Sequence, residues 1–456
     1  MGGALMSAER SAGSVSRAWG GLGSVRALQR VLYRSAEQDR ERRFHALFDK
    51  VAGSDVLWQA WMDVRVNRGA AGVDGVGLDA IEARGDAAVR AWLEKLVTQL
   101  RAGSYRPLPL RRVHIPRPGR PGQTRPLGIA TVGERVVVAA AKLVLEPVFE
   151  ADFADWRFGF CPKRSARMAV EAIRVTANRG GDWVLDVDIK ACFDEFDRDV
   201  LMAEVGRRVI DRQLLKLLRC WLRAGILEGG VITEPGSGTP QGSPISALLA
   251  NIALRRLDQA WQRGGRRAGA LVCYADDFVV VWATAGQARE SQRRAAMLLD
   301  TLGLRLGPDK TGIVELIRGK QGFDFFGFHM GKLESWKWRG KWYLQRWPSA
   351  RAMNSIRAKI RALTYRKYTG SRLADVVAGL NRVLRGWGNY FRDGNSARTF
   401  AQIDSYVHER LAILAANQHK RSGRRWASEY NLAWFQRLGV HTLSGSVRYG
   451  SANASR

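Results

Sequence analysis

The sequence predicts an α+β region over about the first three quarters of the chain, followed by an α-helical region. Three observations predict it. Hydrophobic residues make up 46% of the 456 and charged residues 25%, which is enough apolar surface for large cores and too much for a disordered chain. Up to about residue 345, strand-like apolar runs alternate with stretches of helical periodicity. Beyond that point helical periodicity continues alone and the composition turns basic, with 20 Lys+Arg against 5 Asp+Glu between Gln345 and Arg456. At roughly 150 residues per domain, the length accommodates two or three domains.

The elements follow in order. Residues 38–66 are amphipathic and predict a helix on Phe44, Leu47, Val51, Trp58 and Trp61. Asn67 to Gly77 is turn-rich, and 86–101 predicts a further helix. The Pro/Arg segment Arg106 to Pro126 predicts two short strands around a basic loop. Residues 132–146 predict a buried helix, Trp183 to Ile189 a strand, and Ala270 to Trp282 two strands around a tight turn. Past 345, helices are expected near 351–364, 372–390 and 397–418.

Charge and cysteines narrow the function. The formal net charge is +30, and 59 of the 73 cations are Arg. Such a chain is expected to meet a polyanion, because neutralising phosphates releases condensed counterions. Arg adds bidentate phosphate contact and stacking. Cys161, Cys192, Cys220 and Cys273 form no C-x-x-C pair, so neither a zinc finger nor a disulfide framework is expected, and the compartment is expected to be reducing and cytoplasmic. No apolar run approaches 18 residues, so no membrane span is expected. Met1 to Gly23 is rich in Gly, Ser and Ala and does not read as a signal peptide; residues 1–37 are expected to be a flexible lead-in.

Three segments carry candidate chemistry. Cys273-Tyr274-Ala275-Asp276-Asp277-Phe278 sets adjacent carboxylates between two apolar strands, an arrangement that a hard divalent cation relieves. A plain hairpin turn with Asp-Asp as turn formers is the alternative. In Trp183 to Lys190, alternation puts Asp186 and Asp188 on one strand face, with Leu185, Val187 and Ile189 opposite. Two acidic strand sites suit two-metal phosphoryl transfer. Gly238-Thr239-Pro240-Gln241-Gly242-Ser243-Pro244-Ile245 makes a Gly/Pro turn leading into an apolar helix.

In this order the three segments resemble the reverse transcriptase–maturases of bacterial group II introns. YADD at 274–277 is similar to the family's catalytic box, LDVDIKACFD to its first catalytic box, and TPQGSPIS to the box beneath template and incoming nucleotide. Arg125 to Ile129 and Phe158-Gly159-Phe160 resemble fingers boxes. Gly303 to Thr311 resembles the box after the catalytic hairpin, and Phe325 to Phe328 the primer grip. Leu380-Asn381 with Arg385 to Phe391 resembles the maturase, or X, segment that forms the thumb.

The resemblance implies a right-hand polymerase. Fingers and palm would span 38–344, an α-helical thumb/maturase domain 345–445, and a tail 446–456. It implies two Mg²⁺ ions at Asp188, Ile189, Asp276 and Asp277, with the three aspartates catalytic. Arg117 and Arg125 would hold the triphosphate, Phe193 would gate against a ribose 2′-hydroxyl, Gln241 would contact the nucleotide, and Lys310 would give a proton to pyrophosphate. The implied partners are dNTPs, an RNA template with a DNA primer, a target DNA and the intron RNA, met by Arg382, Arg385, Arg392 and Arg398. Trp387, Tyr390 and Phe391 could stack on RNA or form the thumb's core. A splicing factor without polymerase activity, or a domesticated relative in DNA repair or phage and CRISPR defence, are the alternatives.

Two departures stand out. Cys161 occupies the usual place of an Arg in the fingers box, with Lys163 or Arg164 as substitutes. No Cys/His cluster follows the thumb segment, so the endonuclease domain of some relatives is not expected.

Overall fold

The computed structural model describes residues 22–116, 122–234, 236, 238, 242–264, 269–308, 310–419 and 429–448. Its strands are β1 (Leu110–Pro116), β2 (Thr124–Ile129), β3 (Trp183–Asp188), β4 (Ile226–Glu228), β5 (Val231–Thr233), β6 (Ala270–Tyr274), β7 (Asp277–Trp282), β8 (Gly312–Glu315), β9 (Gly322–Phe325), β10 (Phe328–Glu334) and β11 (Trp342–Pro348). They form sheets in the orders β2-β1-β4-β5, β6-β7-β3-β8 and β11-β10-β9. The chain divides into two compact units. One holds Met1–Arg164, Val187–Phe278 and Glu290–Thr311; the other holds Ser165–Asp186, Val279–Arg289 and Gly312–Arg456.

The first unit is built around the helix Val132–Glu150, whose residues Val136 to Ala141, Val144, Leu145, Val148 and Phe149 are buried. Thr131 starts it by accepting the Glu134 N–H at 3.2 Å, a cap that a hydroxyl supplies and an apolar residue cannot. Leu22–Gln38 is also a helix, which corrects the flexible lead-in expected over 1–37. Gly/Ser/Ala composition ends near Gly23, and Val25, Leu32 and Ala36 then recur at helical spacing and are buried. The single helix expected over 38–66 is broken into Phe48–Val51 and Ser54–Val66. Asp211 holds its entry: its carboxylate accepts the Leu47 and Phe48 N–H groups at 2.9 and 2.8 Å.

β1 and β2 pair antiparallel from Arg111↔Ile129 to Pro116↔Thr124. Residues 117–121 of the connection between them, Arg117 included, lie outside the described residues. Side chains of Val184, Leu185 and Val187 are buried in β3, as are Phe278 to Trp282 in β7. That pattern is what an interior sheet demands, since a strand covered on both faces reads as a nearly continuous apolar run.

In the second unit, β10 lies between β9 and β11, and the helix Ala166–Asn178 packs on β11. The Asn178 side chain accepts the Leu344 N–H at 2.6 Å, and Arg346 pairs with Glu171 while donating to the Asp393 carbonyl at 2.8 Å. Helices Ala350–Leu363, Leu373–Phe391 and Ala397–Gln418 fall within a residue of the expected spans. Ile356, Ile360, Leu380, Leu384, Phe400, Ile403, Val407 and Leu411 are buried at 3–4 residue spacings, so each helix presents one apolar face inward.

Candidate active site

Asp188 closes β3, Ala275-Asp276 make the turn between β6 and β7, and Asp277 opens β7. A hydrogen bond brings them together: the Ile189 N–H donates to the Asp276 main-chain carbonyl at 3.2 Å. Ala275 holds the turn in left-handed backbone, φ 57°, at a cost of roughly 1 kcal/mol for a residue with a Cβ.

The segment Arg305 to Gly307 closes on Asp188 from another side. The Gly307 N–H donates to the Asp188 carbonyl at 2.7 Å and Lys190 N–H to the Arg305 carbonyl at 2.9 Å. A Cβ at Gly307 would stand 2.8 Å from Asp188 Oδ2, so only glycine lets the two backbones approach this far. The same approach aims Lys310 inward, and its Nζ pairs with Asp188 Oδ1. Phe158-Gly159-Phe160 closes in likewise: a Cβ at Gly159 would lie 2.2 Å from the Ala275 nitrogen. Gly159, Ala275 and Gly307 lie within segments the sequence already offers, but their close approaches and strain show only in the structure.

Electrostatics mark the cluster. Burial, followed by the neighbouring Asp276 charge, pushes Asp277 up to about 7, and its carboxyl hydrogen-bonds with Asp188. Burial and Asp188 also raise Asp276, against the pull of Lys310 and Arg125. Burial works against the Lys310 ammonium, but the Asp188 hydrogen bond and the three carboxylate charges carry its pKa above the ordinary value. Three hard oxygen donors that destabilise one another are a fitting donor set for Mg²⁺. Among the described residues no group of three or more His, Cys, Asp or Glu side chains is arranged to hold a metal ion by itself. Mg²⁺ does not need one, since it is held through one or two carboxylates with waters and substrate phosphates. The Ile189 side chain is buried and apolar, so only its main-chain carbonyl could serve an ion.

The other expected residues divide. Arg125 is exposed on β2 opposite Ile115, and Phe193 is half-buried on the short helix Cys192–Glu195, beside Gly238. Arg117 and Gln241 lie outside the described residues. Asp186 pairs with Gly312 in β3–β8 rather than at the strand end. Cys161 is buried with its Sγ 3.5 Å from the Gly159 carbonyl. Arg164 does not substitute, because it is spent on the Ala154 and Arg157 carbonyls at 2.5 and 2.7 Å. Lys163 is exposed.

In the helical region, Arg382, Arg385 and Arg398 are exposed, while Arg392 is half-buried and donates to Asn389 at 3.1 Å. The aromatics beside them are core. Phe391 is buried between Trp387 and Phe328, with centroids 4.9 and 4.8 Å away, and the Tyr390 hydroxyl donates to the Phe326 carbonyl at 2.9 Å. The basic run at 420–425 lies outside the described residues.

Residues 115–330 match the family model "Reverse transcriptase (RNA-dependent DNA polymerase)", and residues 353–430 match "Group II intron, maturase-specific domain". Protein YkfC of Escherichia coli (strain K12) is 32% identical over 344 residues, 67% of this chain and 88% of that protein. The chain belongs to the group II intron reverse transcriptase–maturase family. A second member, group II intron-encoded protein LtrA of Lactococcus lactis subsp. cremoris, is 30% identical over 233 residues, which is 51% of this chain but 38% of LtrA. Among solved structures, telomerase from Candida albicans aligns with a TM-score of 0.42 and 12% identity over 72% of this chain and 63% of that one. The family is one of RNA-directed DNA polymerases with an intron-binding segment; in this chain the three clustered aspartates lie before residue 345, and the helical region beyond it carries 20 Lys+Arg against 5 Asp+Glu. No helix among the described residues is long and apolar enough to cross a membrane.

Proposed function

We propose that this chain extends a DNA primer on an RNA template with dNTPs, and binds its intron RNA as a maturase in a cytoplasmic ribonucleoprotein, aiding splicing and copying the intron from a cut target DNA. The observation that carries the reading is the convergence of Asp188, Asp276 and Asp277 at one strand end, tied by the Ile189–Asp276 hydrogen bond. Asp188, Asp276, Asp277 and the Ile189 carbonyl would hold two Mg²⁺ ions, which supply activation of the 3′-hydroxyl and charge neutralisation at the leaving pyrophosphate.

The chain's own groups do the rest. Arg125 and Arg117 would offer guanidinium forks to the triphosphate. Gln241 would contact the incoming nucleotide. As the 3′-hydroxyl releases its proton to solvent, its oxygen would bond to the α-phosphorus and the α–β bridging bond would break, with the protonated Lys310 giving its proton to the departing pyrophosphate. Phe193, half-buried at the helix that follows β3, would stand against a 2′-hydroxyl. Arg382, Arg385, Arg392 and Arg398 supply phosphate contacts to the intron RNA.

The test is primer extension on RNA with Mg²⁺, offering dNTPs or rNTPs. Phe193→Ala is expected to keep DNA synthesis and to raise rNTP incorporation at least tenfold. Unchanged selectivity in an active variant removes Phe193 from the gate.

A further inference from the structure

β10 and β11 run antiparallel from Phe328↔Pro348 out to Glu334↔Trp342, and the chain between them reads Ser335-Trp336-Lys337-Trp338-Arg339-Gly340-Lys341. Its exposure is opposite to what its composition would ask of a core. Trp336 is 94% exposed and Trp338 54%. Leaving a large aromatic in water forfeits its burial, and isolated exposed apolar residues are common, but two tryptophans on one hairpin tip are a patch. Every charged residue from Ser335 to Lys341 is a cation, and Lys337, Arg339 and Lys341 are all exposed.

The tip is a built structure. The Ser335 N–H donates to the Lys341 carbonyl at 2.8 Å and the Lys341 N–H to the Trp338 carbonyl at 3.0 Å. The Ser335 hydroxyl accepts the Trp338 N–H at 3.2 Å, the Glu334 carboxylate accepts the Gly340 N–H at 2.7 Å, and Gly340 takes the left-handed conformation, φ 81°, that closes the turn. Lys337 and Lys341 each place Nζ 5.4 Å from the Trp338 ring centroid. The aromatic face and the cations are therefore presented together before any ligand arrives, which lowers the entropy cost of binding.

We infer that this hairpin tip is a docking surface for an unpaired segment of the intron RNA, with Trp336 and Trp338 stacking on bases and Lys337, Arg339 and Lys341 meeting the flanking phosphates. The inference rests on the reading that the chain binds RNA. Alternating aromatic and cationic side chains fit a single strand, whose bases are free to stack, better than a duplex, whose bases already stack on one another. A primer–template duplex at the Phe326-Gly327 turn is not the occupant, since that turn lies at the other end of the 7-residue strand β10, roughly 20 Å away at about 3.3 Å per residue.

The experiment uses the full chain and three probes: a labelled single-stranded 20-mer RNA of intron sequence, a hairpin RNA of equal length, and vesicles of phosphatidylserine and phosphatidylcholine. Trp336→Ala/Trp338→Ala is expected to weaken the single strand about tenfold, the hairpin less than twofold, and extension of a short primed template less than twofold. Lys337→Ala/Arg339→Ala/Lys341→Ala is expected to flatten the logarithmic salt slope of single-strand binding by about 2. Both variants alter exposed side chains only, and an unchanged melting temperature checks that they fold. Wild-type affinity for the single strand in both variants overturns the inference while leaving the polymerase reading standing. A loss confined to the vesicles overturns it in favour of a membrane. A wild-type chain that binds no RNA and makes no DNA fails at the earlier reading instead.

Discussion

Gly159 shows how much of the site depends on one missing Cβ. Its Cα lies against the main chain of Tyr274 and Ala275, and an added methyl carbon would stand 2.2 Å from a backbone nitrogen that cannot move without shifting Asp276. Gly159→Ala is expected to cut primer extension by at least tenfold while circular dichroism stays native, because the displacement falls on the carboxylates. A fully active Gly159→Ala enzyme contradicts the close packing. Glu134 makes a second case. It is buried, its Oε2 has no hydrogen-bond partner, and burial pushes its pKa up to about 7 from 4.5. The folded state therefore holds a proton that the unfolded state has released, so this group costs nothing below about pH 4.5. The penalty grows as pH rises and is complete above about 7, at roughly 3 kcal/mol. Glu134→Gln is expected to raise the melting temperature at pH 8 and leave it unchanged at pH 4.5, read by thermal denaturation at both pH values.

Helix Leu373–Phe391 separates two roles along one element. Arg382 and Arg385 lie on its exposed side, whereas Trp387 and Phe391 face Phe400 and Phe328. Replacing Arg382, Arg385 and Arg392 with Gln is expected to weaken intron RNA binding and flatten its salt dependence, with the melting temperature nearly unchanged. Trp387→Ala is expected to do the reverse, costing about 1–3 kcal/mol of stability through lost packing. An unchanged salt slope in the triple variant takes those arginines out of the interface.

At this scale the sequence was most legible. The three basic-region helices came from apolar spacing alone, and the acidic strand ends came from carboxylates interrupting apolar runs. What stayed hidden depends on contacts distant in sequence. The helix Leu22–Gln38 draws its stability from Val132–Glu150, more than 90 residues on, and its lead-in composition masked its apolar face. The close approaches of Gly159 and Gly307 are visible only once three segments meet. The Trp336–Trp338 tip is recognisable only once the β10–β11 hairpin leaves both rings exposed.

Across the whole molecule, charge and chemistry are divided. The three aspartates sit in one compact unit, and the stretch from Gln345 onward carries half of the +30 excess. Metal-dependent synthesis and RNA affinity are therefore expected to separate by mutation. The decisive measurement is primer extension on an RNA template with Mg²⁺ and dNTPs, run beside intron RNA binding, for the wild type and Asp277→Ala. The account predicts synthesis by the wild type, at least a 10³-fold loss in Asp277→Ala, as expected when phosphoryl transfer loses the group that places its metal ions, and RNA affinities within about twofold of each other. DNA synthesis retained by Asp277→Ala, or equal loss of synthesis and binding in a folded variant, would contradict it.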